Sequence, residues 1–139
     1  MLYLIDICKS YLHHGNQIAV LKGIDLEVAP GQSLAIMGAS GVGKSTLLNI
    51  MGSLEAPTTG TVKFRDRNVY KMAGPTLSRF RNTEIGFVFQ FHHLLPEFNA
   101  LENTMMPALI ARIPKKQAEE MAREVLAKVG LEKRLNHRA

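Results

Sequence analysis

Hydrophobic and polar positions change rhythm several times along the chain, and each rhythm predicts an element. Residues 24–28, IDLEV, alternate Ile24, Leu26 and Val28 with Asp25 and Glu27, the period of a strand with one face covered. LYLIDI at 2–7 predicts an earlier strand, and HHGNQ at 13–17 a turn-rich connection between the two. APGQ at 29–32 predicts a second turn. LAIM at 34–37 and IGFVF at 85–89 are short unbroken apolar runs, the pattern of strands buried on both faces. Between them come a helix in LLNIMGSL, a turn at PTTG (57–60), a strand at TVKF (61–64) and a short helix over 76–82.

After Gln90 the period becomes helical. Asn99 with Glu102 three residues on makes a capping-box start, since Asn accepts from a free backbone N–H and Glu reaches back to the cap. That helix runs through Met105–Ile110, with Pro107 weakening or kinking it. Pro114 begins another. Its Ala118, Met121, Ala122, Val125, Leu126 and Val129 fall at three- and four-residue steps, and Gly130 is a natural stop.

Composition narrows the class without deciding it. A chain of 139 residues, 46% hydrophobic and 21% charged, suits one globular domain with a real core. No window approaches 18 unbroken apolar residues, and the N-terminal MLYLIDICKSY lacks the basic start and cleavage site of a signal peptide. A single cysteine, Cys8, permits no internal disulfide, which fits a reducing compartment. The expected location is therefore cytoplasmic. The formal charge of +5 raises the question of nucleic acid. However, the eight Lys/Arg of residues 112–138 are interleaved with four Glu on a helical pattern. That arrangement favours a solvated face near an anionic membrane or partner, and no nucleic-acid-binding motif is present.

Chemistry concentrates in GASGVGKS at 38–45, which fits G-x-x-x-x-G-K-[ST], a phosphate-binding loop. The context is right, with an apolar run before it and a helical pattern after it. Gly41 and Gly43 permit backbone conformations that aim successive N–H groups at phosphate oxygens. The helix that follows turns its positive end toward the same anion. Lys44 can reach the β- and γ-phosphates, and Ser45 can place its hydroxyl on Mg²⁺. Thr46 offers a further contact to the α-phosphate or the backbone. Gln90 ends an apolar run, where α/β sheets place their ligands, and a neutral amide can bind metal or orient water without adding charge.

A phosphate loop alone does not separate ATPases, GTPases and kinases. GASGVGKSTLLNIMGSLEAPTTG, IGFVFQFHHLLPEFNALEN and the early SY…VLKGIDLEVAPGQ together resemble the nucleotide-binding domain of an ABC transporter over essentially all 139 residues. Within that family FVFQFHHLLPEFNALEN is most similar to the lipoprotein-releasing branch of the LolD type, with MacB-like export and FtsE-like systems as alternatives. The resemblance implies an α/β fold, the P-loop NTPase fold of ABC ATPases. A β-subdomain and part of a RecA-like core would occupy 1–89, and the Q-loop with part of a helical subdomain 90–139. It implies ATP and Mg²⁺ as cofactors. Gly38, Ala39, Ser40, Gly41, Val42, Gly43, Lys44, Ser45 and Thr46 would form the loop, and Tyr11 would stack on adenine. Gln90 would contact Mg²⁺ with Ser45 and sense the γ-phosphate, and Lys44 and Gln90 would be the catalytic groups. Transmembrane permease subunits would dock on about residues 90–110, and a second nucleotide-binding subunit would complete a dimer. The implied location is the cytoplasmic face of the bacterial inner membrane.

The family's later elements are absent from these residues: the signature loop, the Walker B strand with its Asp and catalytic Glu, the D-loop and the switch histidine. The resemblance therefore implies a chain truncated before the signature loop, whose isolated ATPase activity is not expected. A non-catalytic nucleotide-binding fragment stays open as an alternative. His137 precedes the place of the switch histidine and does not match it. The resemblance implies that the pair His92-His93 faces the permease, with plain loop packing as the alternative; a metal site is disfavoured because adjacent His residues point different ways and zinc needs three or four converging ligands.

Overall fold

The computed structural model describes residues 1–138. They form two compact units, one spanning Met1–Ile85 and one from Gly86 onward.

The first unit is built on a long antiparallel hairpin. Strand β1 runs Leu2–His13 and β2 runs Asn16–Val28. Two residues join them, His14 at φ 46° and Gly15 at φ 80°. Positive φ at both central positions matches the twist of the flanking strands, which is why a His-Gly pair can close so tight a turn. Strand β3 (Thr59–Phe64) pairs with the other edge of β1, and the two-residue β4 (Arg67–Asn68) pairs with β3, giving the order β2-β1-β3-β4. β1 is bulged at Asp6 (φ 49°), where both ladders slip register. The bulge brings a carbonyl onto Gly60. A Cβ there would lie 2.3 Å from Asp6 O, so β3 can pair at this point only through glycine.

Helix α1 (Lys44–Met51) and helix α2 (Gly74–Glu84) complete the unit, with a 3-10 turn at Val69–Lys71 between them. The core joins Leu4, Ile7, Leu21 and Val62 of the sheet to Leu47 and Ile50 of α1, Val69 and Phe80. Leu47 and Ile50 form one stripe of α1, while Leu4 and Ile7 reach the same core three residues apart because the Asp6 bulge adds a residue between them; Ile24 and Leu26 of the alternating segment pack against it part-buried. Tyr70 closes the far end of α1: its part-buried hydroxyl shares its one proton between the carbonyls of Ile50 and Glu55. Burial, with the Glu55 charge nearby, pushes its ionisation far above the ordinary phenol range.

In the second unit, helix α3 (Ala100–Ile110) packs on helix α4 (Lys115–Lys128) around Leu101, Met105, Ala118, Ala122 and Leu126. The capping box expected at Asn99 and Glu102 is present with both bonds, at 2.8 and 2.9 Å. Pro107 lies inside α3, and Gly130 (φ 74°) ends α4 as expected. The apolar positions of α4 divide: Ala118, Ala122 and Leu126 are buried, whereas Met121, Val125 and Val129 are exposed.

Three expectations differ from the structure. Neither LAIM (34–37) nor IGFVF (85–89) is a strand. Ile36 and Ile85 pack against the first core, but Met37 is 89% exposed and Val88 fully so. A doubly buried strand draws its stability from ladders on both sides and covered faces, and among the described residues no strand pairs with either run. The expected turn at 57–60 also differs in its second half, because Thr59 and Gly60 already belong to β3.

Candidate functional site

Residues Gly38–Gly43 form a loop that runs directly into α1, whose first residues are Lys44, Ser45 and Thr46. Gly41 (φ 78°) and Gly43 (φ 102°) take the left-handed conformations the motif requires. Gly43 is the residue before the first helical turn, and it is pressed against β2. A Cβ on it would come within 2.9 Å of Val20 Cγ1 and 3.0 Å of Leu21 Cδ2. Glycine here is therefore doubly needed, for its dihedral angles and for the contact that seats the loop on the sheet.

No side chain caps the start of α1. The first intrahelical bond is donated by Leu47 N–H to Gly43 O, so the N–H groups of Lys44, Ser45 and Thr46 precede the helical ladder. An uncapped helix start of this kind carries a partial positive charge and several donors, which is an anion site. A cleft opens over it, lined by Val20, Ser40, Gly41, Gly43, Lys44, Ser45 and Thr46. Lys44 reaches back across the loop and donates to the carbonyls of Gly38 and Ala39, at 2.9 and 2.6 Å. Its ammonium is thereby held at the cleft, and the side chain ties the two ends of the loop together.

Tyr11 lies beside this cleft on β1. Its hydroxyl is 2.9 Å from Glu55 Oε2 and 3.5 Å from the Oγ1 of cleft-lining Thr46. Lys9 stands over the Tyr11 ring at 5.0 Å and pairs with Glu55 Oε1 at 2.9 Å. The Lys9 bond, against partial burial and aided by Tyr11, holds the Glu55 carboxyl below its ordinary range. The structure thus brings Tyr11 and the loop residues 38–46 together in one unit. Sequence reasoning missed Val20, Lys9 and Glu55. Val20 reads only as one more apolar strand residue, and Lys9 and Glu55 meet across 46 positions of chain with no motif to mark them.

Gln90 belongs to the second unit. It sits exposed in a bend after IGFVF, not at a strand end. The loop that follows is pinned to α3 by Asn103. Its amide oxygen accepts from Leu95 N–H at 2.9 Å, and its Nδ2 donates to the carbonyls of Leu95, Phe98 and Asn99. Phe91, Leu94 and Leu95 are left exposed on this loop. The His93 ring stands edge-on to Phe89 at 5.0 Å, while His92 Nδ1 accepts from Leu94 N–H.

Donor chemistry for a metal is sparse. Ser40, Ser45 and Thr46 are the hydroxyl residues that line the cleft, and no group of three or more His, Cys, Asp or Glu side chains is placed to hold an ion among the described residues. Such a donor set could hold Mg²⁺ only together with oxygens that a bound ligand brings.

Comparison with known proteins gives the family and the fold. A family model described as ABC transporter matches residues 21–139. The lipoprotein-releasing system ATP-binding protein LolD of Geobacter metallireducens is 53% identical over 138 residues, which is 99% of this chain and 61% of that protein. The protein of the same name from Bacteroides fragilis is 51% identical over 99% of this chain and 62% of its own length. Among solved structures, the ATP-binding cassette MJ0796, a dimer in a post-hydrolysis state bound to ADP and Pi, superposes with a TM-score of 0.87 at 34% identity. It is matched over 99% of this chain and 61% of its own. The chain therefore spans about three fifths of the length of the relatives it matches.

Proposed function

Because the chain belongs to the ABC transporter family, we propose that it binds ATP and Mg²⁺ at Gly38–Thr46 as part of the ATP-binding subunit of a lipoprotein-releasing transporter. The observation that carries the nucleotide reading is the uncapped start of α1 beneath a cleft with Lys44 at its mouth. The lipoprotein-releasing assignment rests on identities of about one half with proteins of that name.

In this reading the N–H groups at the start of α1 hold the β-phosphate, and Lys44 leaves the Gly38 and Ala39 carbonyls for the β- and γ-phosphates. Tyr11 stacks on the adenine. Stacking is tolerant of base identity, so the base is discriminated weakly. Ser45 Oγ would hold Mg²⁺, which would supply neutralisation of the phosphate charge. Gln90 supplies a neutral oxygen and the sensing of the γ-phosphate. Permease subunits dock on about residues 90–110, where the exposed Phe91, Leu94 and Leu95 are presented by the Asn103 clamp. A second ATP-binding subunit completes the assembly at the cytoplasmic face of the inner membrane.

Hydrolysis needs more than these residues provide. Attack by water on phosphate needs the nucleophile positioned and the transition-state charge stabilised. We infer that the isolated 139-residue chain binds ATP without measurable turnover. A purified chain with a kcat within tenfold of a full-length relative, abolished by Lys44→Ala, would refute this. The transport reading is tested in vesicles containing the subunit with its permease. ATP-dependent release of a lipidated substrate that disappears in Lys44→Ala and Gln90→Ala supports it. A complex that hydrolyses ATP yet never releases lipoprotein overturns it.

A further inference from the structure

We propose that Glu55, braced by Lys9, is a positioning residue that fixes Tyr11 for stacking on the nucleobase. The proposal rests on the reading of Tyr11 as the base-stacking residue. An aromatic ring 38% exposed on a strand has rotamer freedom to lose when a flat ligand lands on it. Here that freedom is already spent. Glu55 accepts from the Tyr11 hydroxyl at 2.9 Å through Oε2 and from Lys9 Nζ at 2.9 Å through Oε1. Lys9 donates in addition to Ala56 O at 2.8 Å, so the brace is anchored to backbone. The Lys9 and Glu55 side chains are only 14% and 28% exposed, which keeps the pair from being dissolved into water.

The same contacts determine where a base can sit. Lys9 Nζ covers one face of the ring at 5.0 Å, so a planar ligand has the opposite face. The hydroxyl edge is taken by Glu55 and abuts Thr46. Glu55 itself follows directly from α1, its N–H and that of Leu54 both returning to Asn49 O. α1 starts at the phosphate loop, and the turn that follows its end at Met51 leads to the brace. One eight-residue helix therefore fixes the span between the groups that hold phosphate and the ring that holds the base. Preorganisation of this kind strengthens binding by removing an ordering cost.

The test is calorimetric titration of the intact protein with ATP and with inorganic tripolyphosphate, which has no base to stack. Glu55→Ala and Tyr11→Phe each delete the same hydrogen bond from opposite ends. Each is expected to weaken ATP binding about three- to tenfold, with no further loss in the double variant and no change for tripolyphosphate. Glu55→Gln keeps an acceptor and falls between wild type and Glu55→Ala. If Tyr11→Ala leaves ATP affinity unchanged, the stacking reading and this proposal fail together. If Tyr11→Ala weakens ATP but Glu55→Ala and Tyr11→Phe do not, stacking stands and the brace is refuted. Equal weakening of ATP and tripolyphosphate by Glu55→Ala also refutes it, because Glu55 would then be supporting the fold alone. Should Glu55→Ala fail to fold, Tyr11→Phe decides the question.

Discussion

Two loops in this protein lead into helices, and they start those helices in opposite ways. Gly38–Gly43 enters α1 with no side-chain cap, so the first N–H groups of the helix have no side-chain partner there. The loop after Gln90 enters α3 through a complete capping box, and the next donors are used internally: Ala100 N–H bonds His137 O and Leu101 N–H bonds Leu135 O. The first loop spends glycine to keep its donors free, at a cost in stability. The second spends Asn99, Glu102 and Asn103 to satisfy everything, and so displays side chains such as Phe91 and Leu94. An unsatisfied helix start recognises anions with backbone, whereas a satisfied one serves as a rigid platform for recognition by side chains.

This contrast can be broken from either side. The largest effect is expected from Gly43→Val, whose side chain cannot fit against Val20 and Leu21. ATP affinity should fall at least about a hundredfold in calorimetric titration, equivalent to two tenfold steps in Kd. Protection of α3 and α4 amides in hydrogen exchange should not change. Retained affinity would show that the loop does not depend on its seat against β2.

Asn103→Ala should do the reverse. It strips a partner from Leu95 N–H and from the carbonyls of Leu95 and Phe98, while Asn99 O keeps its bond from the backbone of residue 103, costing about 2–3 kcal/mol in denaturant unfolding of the second unit. ATP affinity should stay at the wild-type value. Loss of affinity instead would mean that the second loop contributes to nucleotide binding through its shape.

Helix ends give a smaller test. α4 stops at Gly130, but α1 stops with Ser53 at φ 60°, 2% exposed, its Oγ without a partner among the described residues. Ser53→Gly removes both the unfavourable dihedral and the buried orphan hydroxyl. It is expected to stabilise the first unit by about 1 kcal/mol in thermal or denaturant unfolding. Destabilisation would indicate that the hydroxyl is satisfied in solution.

The smallest effect concerns acid. Glu55 is held below its ordinary value of 4.5 in the folded protein, so its contribution is complete above that pH and is lost as pH falls through the lower folded value. Glu55→Gln should therefore lose less stability than wild type on acidification below pH 4.5, while the two curves run parallel above it. Identical acid limbs would mean that the Lys9 pair does not persist in solution.

The sequence by itself determined what depends on near neighbours. GASGVGKS specified its own loop because glycine dihedrals and a helix start are local properties. Asn99 and Glu102 specified a cap because both bonds close within one turn. The alternation in IDLEV specified a strand and its inward face. Only the tertiary structure decided what depends on distant partners. LAIM and IGFVF have the composition of buried strands, yet strand formation requires a neighbouring ladder, and none among the described residues supplies it. Met121 and Val125 share the helical period of Ala122 and Leu126, but the width of the contact with α3 decides which of them is covered. The meeting of Lys9, Tyr11 and Glu55 follows from the β1–β3 pairing and the exit of α1, a long-range closure that no local pattern encodes.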